Sequence, residues 1–213
     1  MIKINFLGDS ITQGAAASSI ENTYVAKVGV YFPCIARNYG LGGSRIAKQI
    51  GNEEPKEYDH NFYERAQQMD KDADFVFIFG GTNDHGHGNA PLGTSEDNTE
   101  YTFCGALNIL LAYLTKEYGN NKLCYILPLH KYDENNPLGE GRKKVPGPIM
   151  KDYNECIKNA CNKYGVDILC LDEEFPTPKT RQNELYSDGL HPNDHGHDVL
   201  AKAIVKYLHK IGF

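Results

Sequence analysis

Five strand-like runs alternate with amphipathic stretches along this chain, and that alternation limits its possible folds more than any other feature. The runs fall at about 2–7 (IKINFL), 35–39 (IARNY), 74–79 (DFVFIF), 123–127 (LCYIL) and 166–171 (VDILCL). Between and after them, residues 99–118 carry Leu107, Leu110, Leu111 and Leu114 at three- and four-residue spacing. Residues 149–164 repeat the pattern with Ile149, Tyr153, Cys156, Ile157 and Cys161, and about 195–210 with Val199, Ala203, Ile204, Tyr207 and Leu208. Such stripes mark helices that cover a sheet with one face. Strands that alternate with helices predict an α/β fold, a three-layer α/β/α sandwich around a central parallel sheet of about five strands, joined by right-handed crossovers.

The 213 residues contain no composition shift, repeat or Ser/Gly/Pro tract that would mark a linker, so a single domain over 1–213 is expected. Hydrophobic residues at 40% and charged residues at 23% describe an ordinary globular chain, and no run is long enough to span a bilayer. The start, MIKINFLGDS, has one lysine and only a strand-length apolar run, which points to a cytoplasmic location and no membrane partner. A net charge of −6, with Lys and Arg outnumbered 22 to 28, argues against a nucleic-acid partner. The one basic run, Arg142, Lys143 and Lys144, reads as a solvated loop. Cysteines 34, 104, 124, 156, 161 and 170 lack CxxC spacing and read as reduced, buried thiols, with a disulfide framework as the alternative.

Open α/β sheets bind ligands at the carboxyl ends of their strands. The polar, glycine-rich segments of this chain follow its strands: GDSIT at 8–12, NYGLGGSRI at 38–46, GGTNDHGHG at 80–88, and YSDGLHPNDHGHD at 186–198. Ser10, Asp188 and His191 supply the hydroxyl, carboxylate and imidazole that a hydrolytic triad needs. Asp188 and His191 are three residues apart in one turn that contains Gly189 and ends at Pro192, so both side chains can point the same way. The backbone of Gly43, the amide of Asn83 and the N–H of Ser10 could serve as donors to an oxyanion. Taken singly, each segment also reads as a plain turn or cap, with Ser10 an N-cap serine and Asn83 the cap of a following helix.

GDSIT at 8–12, the glycine of NYGLGGS at 38–44, GTND at 81–84 and DGLHPN at 188–193 together resemble the four blocks of the SGNH (GDSL) hydrolase family, and they span nearly the whole chain. The resemblance implies a flavodoxin-like fold, Ser10 as nucleophile, His191 as general base, Asp188 as its orienting partner, and Ser10, Gly43 and Asn83 as oxyanion donors. No metal or organic cofactor is implied. An α/β-hydrolase would instead carry G-x-S-x-G in mid-chain, a pattern that Gly8-Asp9-Ser10-Ile11-Thr12 does not complete.

The expected chemistry is two-step acyl transfer on a small ester. The loops at 84–100 and 128–148 are polar and hold no bulky apolar lid, which favours a short acyl group such as acetyl on a carbohydrate. Tyr125, Tyr132, Tyr186, His85, His87 and His130 are candidates to contact a sugar, and Asp9 and Arg45 are further substrate-binding candidates. The alternative is a lipase, acylhydrolase or thioesterase for longer chains, since the 80–93 segment also resembles bacterial acylhydrolases and lipases. A flavin- or nucleotide-binding protein is a remote alternative, because GLGGSR completes neither G-x-G-x-x-G nor a P-loop. His85/His87 and His195/His197, with Asp84, Asp194 and Asp198 beside them, are weighed as metal sites; His85 and His87 read instead as lining or flanking the pocket, and His195 and His197 as the turn and start of the last helix, with Asp194 as its N-cap.

Overall fold

In the computed structural model, which describes residues 1–49, 60–176 and 183–213, the five runs become β1 (Ile2–Gly8), β2 (Cys34–Gly40), β3 (Phe75–Phe79), β4 (Leu123–Ile126) and β5 (Asp167–Leu169). They form one all-parallel sheet in the order β2-β1-β3-β4-β5. Central β3 is buried at every position and edge β2 only partly so. This is the burial expected when helices cover both faces of a parallel sheet.

Side chains alternate along a strand, so β3 feeds two cores. Val76 and Ile78 pack with α3 (Phe62–Gln67), α5 (Phe103–Tyr118) and α6 (Met150–Tyr164). Phe75, Phe77 and Phe79 pack on the other face with α2 (Tyr24–Tyr31) and with the last helix, α7 (Asp194–Lys210). The result is the three-layer α/β/α sandwich. Two single turns, α1 (Ser10–Gln13) and α4 (Thr82–Gly86), follow β1 and β3 directly. In this strand order β1 and β3 flank the point where the connections change direction, so both turns open onto the crevice where ligands bind such sheets.

Three local expectations are corrected. The cap of α7 is Asn193, whose Oδ1 accepts from Gly196 N at 3.0 Å, while Asp194 turns away to accept from Ser18 N at 2.7 Å. The stripe at 99–118 becomes helix only from Phe103, after the Thr102 cap. Cys104 and Cys156 are not free thiols: the packing of α5 against α6 brings their Cα atoms to 5.6 Å, and they are joined as a disulfide across 52 residues. Cys34, Cys124, Cys161 and Cys170 are free. Among the described residues, no helix is long and apolar enough to cross a membrane.

Candidate active site

The turn after β1 is capped by Asp9, whose Oδ1 accepts from Ile11 N at 3.0 Å, and not by Ser10. The serine hydroxyl is thereby left to face His191, with Oγ 3.0 Å from Nε2. Asp9 is only 1% exposed, and burial pushes its carboxyl up to about 6 against the opposing pull of the Ile11 N–H, His191 and Arg65. Since α1 is one turn long, its dipole adds little at Ser10, contrary to what a full helix there would supply.

Asp188 organises the second segment. Its Oδ1 accepts from Leu190 N at 3.0 Å and His191 N at 2.7 Å, and its Oδ2 lies 2.7 Å from His191 Nδ1. A carboxylate only accepts, so the His191 proton sits on Nδ1 and the lone pair of Nε2 faces Ser10. Partial burial opposes ionisation of Asp188, but the hydrogen bonds from the His191 side chain and from the His191 and Leu190 backbone outweigh it. The carboxyl is held below its usual value.

The loop after β2 lies against Ser10. A Cβ on Gly40 would stand 2.1 Å from Gln13 N, so only glycine lets β2 pass this close to α1. Gly42 N donates to Gln13 Oε1 at 2.8 Å, and Gly43 follows at φ +74°, in the left-handed region. From α4, Asn83 Nδ2 donates to Ser44 O at 2.9 Å, which ties the GTND turn to this loop. Asp84 accepts from Ile46 N at 2.9 Å and Ala47 N at 3.0 Å. Burial pushes Asp84 up to about 6, opposed by those two N–H groups and by Arg45.

Two contributors escaped the sequence reading. Arg65, on α3, donates to Gly8 O and to Ser44 Oγ, both at 2.7 Å, and to Tyr39 O, which joins the ends of β1 and β2 to the loop. Burial lowers it to about 10, with Asp9 opposing. Its stretch, NFYERAQ, holds no local signal of that role. Asp84 belongs to the GTND block, but the N–H groups it binds, those of Ile46 and Ala47, lie 38 and 37 residues away and leave no local signal of its role.

The structure brings Ser10, Asp188 and His191 together, and holds Asn83 by Gly43's neighbour Ser44. Of the other candidates, only Tyr132 and, in part, His130 reach a surface. Asp9 and Arg45 are 1% exposed and His85 is fully buried, edge-on to Tyr153, so these three present no face to a substrate. Burial, with Lys131 and Lys143 nearby, lowers His85 to about 4. Tyr125 is buried with its hydroxyl donating to Gly80 O at 3.1 Å, and buried Tyr186 donates to His130 O at 3.0 Å. Tyr132 stays exposed and its N–H donates to Gly189 O at 3.1 Å, inside the Asp188–His191 turn. His130 is half-buried, with Nδ1 2.7 Å from Glu134 Oε2. His197 Nδ1 accepts from Tyr24 N at 3.2 Å inside the core, and among the described residues no three His, Cys, Asp or Glu side chains gather as a metal set.

A family model described as GDSL-like Lipase/Acylhydrolase matches residues 6–199. A Lactobacillus plantarum protein of solved structure is 28% identical, with a TM-score of 0.82, over 100% of this chain and 98% of that one. A lipase/acylhydrolase from Enterococcus faecalis superposes with a TM-score of 0.64 at 21% identity, over 99% of this chain and 96% of its own. The acetyl xylan esterase AlAXEase does so with a TM-score of 0.63 at 21% identity, over 97% of this chain and 100% of its own. No curated protein matches the sequence significantly.

Proposed function

This chain belongs to the GDSL-like lipase/acylhydrolase family, and from that premise we propose that it hydrolyses carboxylic esters through Ser10, His191 and Asp188, with a short acyl group on a carbohydrate as the preferred substrate. The observation that carries the reading is the hydrogen-bonded row from Ser10 Oγ to His191 Nε2 at 3.0 Å and from His191 Nδ1 to Asp188 Oδ2 at 2.7 Å.

His191 Nε2 takes the Ser10 proton as Oγ attacks the ester carbonyl carbon. The carbonyl oxygen becomes an oxyanion, received by the N–H groups of Ser10 and Gly43 and by the Asn83 amide. When the C–O bond breaks, His191 returns the proton to the leaving alcohol, and an acyl-serine remains. Water repeats the sequence and frees the acid. Asp188 keeps the imidazole in the tautomer this needs and stabilises its cationic form. The single domain over 1–213 proposed for this chain needs no second module to complete that chemistry.

Two observations support a small, polar alcohol. Exposed Tyr132, bonded through its N–H to Gly189, offers a ring beside the Asp188–His191 turn on which a sugar can stack, with half-buried His130 two residues away. The acetyl xylan esterase shares the fold over nearly all of both chains. The test is hydrolysis of p-nitrophenyl esters from acetyl to long acyl chains, and of acetylated xylan, by the wild type beside Ser10→Ala. Fastest turnover at acetyl, with at least a ~10⁴-fold loss in the variant, is expected. An optimum at long chains would replace the substrate class by lipid or thioester, and equal rates in both proteins would sink the mechanism.

A further inference from the structure

Beneath the Asn83 amide lies a buried row of side chains that the proposed mechanism does not use. Arg45, 1% exposed, directs Nε and Nη2 at His87 Nδ1, at 3.1 and 2.8 Å. His87, 8% exposed, sets Nε2 3.1 Å from Asn83 Oδ1. A guanidinium is costly to bury, and Asp84 lies near enough for Arg45 to favour its ionised form.

We propose that Arg45 and His87 are positioning residues, a relay that locks the Asn83 amide with one N–H on Ser44 O and the other presented to the oxyanion. The row admits one polarity. Arginine has no acceptor, so Nδ1 of His87 is the unprotonated nitrogen and the ring proton sits on Nε2. That proton goes to Asn83 Oδ1. From the other end, Ser44 O can only accept, which places the amide nitrogen of Asn83 on the same side independently. Both ends therefore agree on which way the amide faces, and a flipped amide would lose both bonds. Burial, with Arg45, Arg142, Lys131 and Lys143 around it, lowers His87 to about 3, in the same sense as the neutral ring that the hydrogen bonds require.

The inference rests on the reading of Asn83 as an oxyanion donor, and the test separates the two. The best p-nitrophenyl ester of the series is used with wild type, His87→Phe, His87→Gln, Asn83→Ala and the Asn83→Ala/His87→Phe double variant. Asn83→Ala is expected to lower kcat by about 10²–10³-fold. His87→Phe keeps a ring but loses both bonds, and is expected to lower kcat about 10–100-fold with KM within about threefold. His87→Gln, which keeps a donor where Nε2 stood, is expected to recover to within about threefold. In the Asn83→Ala background, His87→Phe is expected to change kcat less than about twofold.

A second measurement needs neither variant nor substrate. The ¹⁵N shifts of the His87 ring in the wild-type chain at pH 7 are expected to report the neutral Nε2–H tautomer. An Nδ1–H or cationic ring, a silent His87→Phe, or its full additivity with a crippling Asn83→Ala would each overturn the relay while leaving Asn83 in the mechanism. A silent Asn83→Ala would instead overturn the oxyanion reading itself.

Discussion

Asp188 leaves 53% of its side chain to solvent and His191 22%, whereas Arg45, Asp84, Asn83 and His87 are 1%, 3%, 5% and 8% exposed. One half of the proposed site is a surface turn whose side-chain order comes from one carboxylate, with backbone bonds from Tyr132 and Ser187 beside it, and the other is a buried network tied to three strand ends. Their carboxylates are shifted in opposite directions. Hydrogen bonds hold Asp188 below its usual value, while burial lifts Asp9 and Asp84 to about 6. The difference suits the two proposed tasks. A proton shuttle changes charge and benefits from water, whereas an oxyanion hole works by donors fixed before charge develops. Activity and stability are therefore expected to separate along the same line.

The largest effect should come from the exposed half. Asp188→Ala removes the partner of His191 Nδ1 and is expected to cost about 10³–10⁴-fold in kcat. Leu190 N and His191 N lose an acceptor too, but at an exposed turn water replaces it, so stability should shift by less than about 1 kcal/mol. Urea denaturation beside the kinetics checks both. A large loss of stability would mean that the turn is structurally tied to the core after all.

Arg65→Met should do the reverse. It removes one donor each from Gly8 O, Tyr39 O and Ser44 Oγ in a partly buried region, where Gly8 O keeps only Leu41 N and Ser44 Oγ only its bond to Leu41 O, and a loss of stability on the order of 3 kcal/mol is expected. Little change in the urea midpoint would mean that solvent reaches these acceptors, and the contrast between the halves would weaken.

What could be read from the chain divides in a similar way. Ser10, Asp188, His191, Gly43 and Asn83 lie in short segments whose residue types carry their chemistry, and the strand runs place those segments at one sheet edge. Arg65 was invisible because its acceptors lie up to 57 residues away. The Cys104–Cys156 pairing was hidden by its 52-residue separation. The short α2 and α3 hold too few residues for a periodic stripe to stand out. Tyr125, Tyr186 and His85 read as candidate sugar contacts because their rings can stack on a sugar and their polar atoms can bond to it. A tyrosine can instead bury its ring and satisfy the hydroxyl on a carbonyl, as Tyr125 does with Gly80 and Tyr186 with His130.

The smallest effect tests the carboxylates themselves. Asp9 and Asp84 ionise near 3.8 when unfolded and near 6 when folded, so between about pH 4 and pH 6 the folded chain keeps protons that the unfolded chain has released. Stability from these groups is thus highest below about pH 4 and declines as pH rises through 6. Asp188 and other carboxyls held low work in the opposite sense, losing their contribution as pH falls through their folded values, so the total curve is a compromise. The difference between proteins isolates one group. Asp84→Asn removes the titration but also replaces one carboxylate acceptor of Ile46 N or Ala47 N with an amide NH₂, so the variant is expected to be less stable at every pH. Its deficit should be largest near pH 4, where wild-type Asp84 is protonated, and should shrink by about 1–2 kcal/mol by pH 7, where the wild type bears a buried charge. Urea midpoints at pH 4, 5, 6 and 7 measure that gap. A gap that widens with pH would mean that the ionised Asp84, held by two N–H groups and Arg45, is the better-solvated form, and the buried half would then owe its order to charge rather than work against it.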